Sequence, residues 1–215
     1  MLTPRQVYRA ALAFFAAGSL IGLYLAAEVS PVIILLGIVG VAFGYFYTAP
    51  KVNLAARGIG EVALGIGFGP LIVSGAYLVQ TGVFDAAVFL AGVPVGILIG
   101  LVLFINQFPD MEADKATGKT HWVARMGLRK AAYWYSGLMV AAFLAVPVLV
   151  LAGTFPVWTL LSLATLPLGA RAVRTVLKNH DDLRALLPSQ AMTIQLHLLV
   201  GLILSAGFLI PGILG

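Results

Sequence analysis

The sequence predicts an all-α membrane protein, a bundle of seven transmembrane helices with a cytoplasmic N-terminus. Three observations carry that expectation. The chain is 61% hydrophobic and 10% charged, with a mean hydropathy of +1.04, whereas a soluble domain carries about 25% charged residues. Apolar runs of spanning length recur along the chain, and lipid accepts only helices or closed barrels. Runs this long and continuous do not fit barrel strands. Finally, all 13 Lys and Arg fall where alternating spans gather them on one side.

The spans follow in order. The first is Tyr8–Ala27, preceded by a helix-start signal of Thr3 and then Pro4. No small-residue cleavage site ends it and six spans follow, so it does not read as a signal peptide. The second, Pro31–Ala49, closes on "YTAPK", and the third, Ile59–Gln80, contains Pro70. The fourth is Ala86–Asn106, with Pro94 near its start. The fifth is Ala131–Ala152, the sixth Phe155–Val176 and the seventh Gln190–Ile213. Gly18/Gly22, Gly40/Gly44, Gly65/Gly69 and Gly96/Gly100 are small-xxx-small pairs, expected at close helix contacts. Pro70, Pro94, Pro147 and Pro167 are expected to kink their helices and open a cavity.

Loop charge orients the bundle. Side one carries Arg5 and Arg9, then Lys51 and Arg57, then the bases from Lys115 to Lys130, then those from Arg171 to Arg184. Side two holds only Glu28 and Asp85. Positive loops stay cytoplasmic, so the expected location is the cell membrane, with side one and its site towards the cytoplasm. The net charge of +5 is then membrane topology rather than a nucleic-acid footprint. The absence of cysteine excludes disulfides and thiolate metal sites. No composition break divides residues 1–215, so a single integral membrane domain is expected.

Charge is concentrated in "NQFPDMEADKATGKTHWVARMG", residues 106–127. Asp110 and Asp114 are four residues apart, which on a helix puts both carboxylates on one face. Pro109 suits a first helical turn, so a new helix is expected to begin there, with Asn106 directing its carbonyl at the same spot. Hard oxygen donors of this kind suit Mg2+, which keeps several waters and is held by one or two carboxylates plus substrate phosphates. His121, His180 and His197 are scattered and read as structural, and Glu112 lies off the ligand face. Spacing alone leaves an ordinary charged loop as the alternative. Tyr47 and Lys51, on the same side, offer a phenol and an ammonium suited to a diphosphate. Their alternative is an aromatic anchor beside a positive-inside lysine.

The pattern Asn106-x3-Asp110-x3-Asp114, followed by "KATGK" and "VARMG", resembles the second aspartate-rich motif of the UbiA superfamily of intramembrane prenyltransferases. Tyr47-x3-Lys51 resembles that family's YxxxK motif. "RGIGE", "GFGPL" and "TIQLHLLVG" are similar to its dihydroxynaphthoate polyprenyltransferase branch, which serves menaquinone synthesis. The resemblance implies a helical bundle around a cavity open sideways to lipid, an isoprenyl diphosphate held by Mg2+, and an aromatic acceptor that attacks the allylic cation. It implies metal ligation by Asn106, Asp110 and Asp114, and stabilisation of the leaving diphosphate by Tyr47 and Lys51. Lys115 and Lys119 join the substrate-binding set, with Arg57 and Glu61 on the acceptor side.

Two departures accompany the resemblance. In the naphthoate branch a base follows a few positions after the Lys51 position, where this chain has Leu54, Ala55 and Ala56. Family members also have nine spans and a first acidic motif after the second, whereas this chain opens on what resembles the third. About 60–80 residues are then expected to be missing, at ~20 per span plus connections. The chain is accordingly expected to be inactive alone, with an upstream start or a separate short polypeptide supplying the first motif. The alternatives are a non-catalytic membrane remnant or partner subunit, and a prenyltransferase for another acceptor such as a glycerol-phosphate lipid. A transporter fits less well, because transport sites lie near the midplane and these acids lie at one edge.

Overall fold

The structure, a computed structural model, describes residues 3–214. Those residues are helical almost throughout, with no strand among them. Seven apolar helical rods follow one another, joined by short connections. Six are long and apolar enough to cross a membrane, and the seventh, Val32–Thr48, has 17 residues. At 1.5 Å per residue it reaches about 26 Å, the short end of a bilayer core.

Helix α1 (Pro4–Glu28) starts as its sequence signal requires. Thr3 accepts from the Gln6 amide at 3.3 Å, and the Gln6 side chain accepts the Thr3 amide at 2.8 Å, a reciprocal capping box. Helix α2 (Val32–Thr48) leads to a 3-10 turn, Leu54–Ala56, capped by Asn53. The third rod comprises α3 (Gly60–Ile66), a π-helical turn at Gly67–Leu71 containing Pro70, and α4 (Ile72–Thr81). The fourth comprises α5 (Ala86–Ala91) and α6 (Val93–Ala116). The short α7 (Trp122–Met126) precedes α8 (Leu128–Leu151). A nine-residue 3-10 helix, Val157–Thr165, continues into α9 (Leu166–Asn179), and α10 (Leu183–Leu214) closes the bundle.

Helix α6 is the hub. Leu98, Leu101, Phe104, Ile105 and Phe108 pack in one apolar core with Tyr135 and Met139 of α8, Val176 of α9, and Leu196 and Val200 of α10. A buried hydrogen bond of 2.7 Å between Tyr135 Oη and Thr193 Oγ1 ties α8 to α10. Helix α1 lies at the periphery and buries only Ala26.

Three expectations need correction. Pro109 does not begin a helix, because α6 runs through it to Ala116. A proline removes one N–H and crowds the previous turn, and a helix packed on three neighbours tolerates that loss. Pro94 and Pro167 occupy first-turn positions of α6 and α9 rather than kinking mid-helix. Gly18 and Gly22 meet nothing that an added Cβ would touch; they line an open apolar cavity between α1 and α2. The close contact is made by Gly65, Gly69, Gly92 and Gly96. A Cβ on Gly96 would sit 2.5 Å from the Gly65 carbonyl oxygen, and one on Gly92 would sit 2.5 Å from Pro70. The π turn of the third rod thus nests in the break between α5 and α6.

Candidate functional site

Because α6 continues past Pro109, Asn106, Asp110 and Asp114 sit at successive four-residue steps on one face. Asn106 and Asp110 are exposed, and their side chains make no hydrogen bond among the described residues, whereas Asp114 is half-buried and held on both oxygens. Lys119 Nζ approaches Oδ1 at 2.6 Å and His121 Nε2 approaches Oδ2 at 3.0 Å. Glu112 points elsewhere and pairs with Lys115 at 3.7 Å on the exposed side. Among the described residues, no three His, Cys, Asp or Glu side chains form a metal cage. Two carboxylates and an amide, all hard oxygen donors, do fit a largely hydrated Mg2+ shared with phosphate oxygens.

The loop after α2 reaches this cluster through its backbone. The Thr120 amide donates to the Ala56 carbonyl at 2.6 Å, and Arg125 Nη2 donates to the Arg57 carbonyl at 2.8 Å. Gly58 closes the contact. Its φ of +75° favours glycine, and a Cβ there would lie 2.5 Å from the Trp122 ring. The loop that follows Tyr47 and Lys51 is therefore fastened to the segment that follows Asp114. Lys51 is exposed and Tyr47 half-buried.

Arg57 and Glu61, both expected on the acceptor side, differ in burial and in partners. Arg57 is exposed and donates to the Lys51 carbonyl at 2.9 Å. Glu61 is buried, and its Oε1 accepts from Gln107 Nε2 at 2.9 Å. Glu61 Oε2 and Gln107 Oε1 have no hydrogen-bond partner among the described residues. Beside this pair lies an apolar cavity of ≈ 250 Å³ whose wall includes Glu61, Phe104 and Trp122. The two aromatic rings meet edge to face, 6.4 Å between centroids.

Gln107 and His121 contact the candidate residues Glu61 and Asp114, contacts that sequence reasoning did not anticipate. Gln107 sits beside Asn106 without matching any spacing rule. His121 follows the acidic cluster by seven residues, and its position only becomes informative once the chain turns back at Gly118.

Comparison with known proteins identifies the family. The profile of the UbiA prenyltransferase family matches residues 1–199. The chain is 28% identical to a 1,4-dihydroxy-2-naphthoate octaprenyltransferase of Bacillus subtilis, covering 97% of this chain and 67% of that protein. It is 31% identical to a 2-carboxy-1,4-naphthoquinone phytyltransferase of Synechocystis, covering 80% of this chain and 57% of that one. Identity is 32% to a 1,4-dihydroxy-2-naphthoate octaprenyltransferase of Mycobacterium tuberculosis, covering 82% and 59%. Two of these three relatives are thus spanned over less than two thirds of their length. A match across nearly the whole chain, on a bundle whose central helix carries the acids, means that this protein belongs to the UbiA prenyltransferase family.

Proposed function

We propose that this chain forms the catalytic face of a membrane prenyltransferase that moves an isoprenyl group from its diphosphate to a dihydroxynaphthoate-type ring. The observation that supports this best is the fastening of the loop after Tyr47 and Lys51 to the segment after Asp114. In this reading it ties the segment that offers donors for a diphosphate to the segment that offers oxygen ligands for a cation. The names of the naphthoate relatives support the acceptor class.

Each residue then has a physical role. Asn106, Asp110 and Asp114 would hold Mg2+, which when bound offsets the charge growing on the departing diphosphate. Lys51, Lys115 and Lys119 attract the diphosphate as point charges, and Tyr47 donates a hydrogen bond to it. Glu61, paired with Gln107, faces the acceptor as a hydrogen-bond acceptor for ring hydroxyls. The site opens at the cytoplasmic end, where the positive-inside rule puts the basic loops.

The test replaces Asp114 by Ala at the native locus and assays membranes with Mg2+, an isoprenyl diphosphate and 1,4-dihydroxy-2-naphthoate. Unsubstituted membranes should yield the prenylated naphthoquinone, detected by mass spectrometry, and the variant should yield none. Product from a glycerol-phosphate acceptor instead would retain the transfer reaction and reject the acceptor. Equal product from both membranes would reject the proposal.

A further inference from the structure

His121 lies at the start of α7 and is 1% exposed, yet both of its ring nitrogens are engaged. Nδ1 caps α7, 3.2 Å from the Ala124 amide. A backbone amide can only donate, so Nδ1 must accept and carries no proton. The ring proton is therefore on Nε2, which lies 3.0 Å from Asp114 Oδ2 and donates to it. The other donor to Asp114 differs in kind. Lys119 has a side chain 49% exposed on a flexible stem, so it can leave Oδ1 at little cost. The imidazole is enclosed and pinned at its far nitrogen by the helix cap.

We propose that His121 is a positioning residue for the cation site. It fixes the Asp114 carboxylate through Oδ2, leaving Oδ1 available to a divalent cation once Lys119 withdraws. The inference rests on the reading of Asp114 as a ligand. Hydrogen bonds behind a metal ligand typically set its affinity by about 10–100-fold. The α7 cap and the orientation of Asp114 are thus one device, because the same ring serves both.

The test uses Mn2+ as an EPR-visible probe with the whole chain in lipid nanodiscs. Thr at position 121 retains an oxygen to cap Ala124 but cannot reach Asp114. His121→Thr should therefore keep the chain folded, at a lower melting temperature, while weakening Mn2+ binding about 10–100-fold. Lys119→Met, which removes the competitor for Oδ1, should bind Mn2+ at least as tightly as the unsubstituted chain. Nitrogen-15 NMR of the metal-free protein should show His121 protonated on Nε2, a readout that needs no variant to fold. A ring protonated on Nδ1, or unchanged Mn2+ affinity in His121→Thr beside a loss in Asp114→Asn, overturns the positioning role alone. Equal affinity in Asp114→Asn and the unsubstituted chain, or no Mn2+ binding at all, overturns the ligand assignment and the proposal with it.

Discussion

Glu61 is a buried carboxylate with a single donor among the described residues, Gln107, 46 positions away in sequence. Removing one partner of such a pair strands the other, at about 1–3 kcal/mol, whereas replacing both by apolar groups can be nearly neutral. Gln107→Leu should therefore lower the melting temperature in detergent, and Glu61→Leu combined with Gln107→Leu should restore most of it. If Glu61 serves the acceptor, that double variant stays inactive despite its recovered stability; recovered transfer would make the pair purely structural. On the acid face, Asp110→Ala should abolish Mg2+-dependent transfer with the fold intact, and Lys51→Ala should raise the KM for the diphosphate. Glu112→Ala should leave kcat within about twofold, since this solvated side chain contributes little. The acids were legible in the sequence because a helix turns a four-residue spacing into a shared face. Gln107 was not, because its meaning depends on Glu61, and no local rule reports a contact made between helices.

The rods reveal how packing decides what composition leaves open. The Gly65, Gly69, Gly92 and Gly96 contact allows backbones to touch where the π turn meets the break before α6. Gly96→Ala should destabilise the bundle by about 1–3 kcal/mol through overpacking, while Gly137→Ala, with open space around it, should be neutral or better. A thermal-unfolding series in one detergent compares the two, and equal melting temperatures would contradict the close contact. Both glycines are equally plain in the sequence; only neighbours distinguish them. The sixth rod carries a similar lesson. Thr159, Ser162 and Thr165 recur every third residue, and in a 3-10 helix that spacing stacks them on one side. Each hydroxyl donates to the carbonyl three residues before it, at 2.7–2.8 Å. Apolarity identified this rod as a span, but its tighter first half depends on α10, where Gly207 admits the Thr159 backbone.

Across the whole molecule, the number of apolar rods could be read from the sequence before any contact was known, and their alternation is expected to send every Lys and Arg to one end. A reporter fused after Thr117 should read cytoplasmic and one after Gly153 external; the opposite result, or one side for both, would overturn the alternation. At the charged end, the connection between the two halves of the site runs through the carbonyls of Ala56 and Arg57. Every amino acid carries that carbonyl. Alanine scanning would leave the acceptor half of the latch silent and register it only through Thr120, Arg125 and the crowding at Gly58. Descendants of this chain can therefore change the side chain at position 56 while their two motifs stay joined.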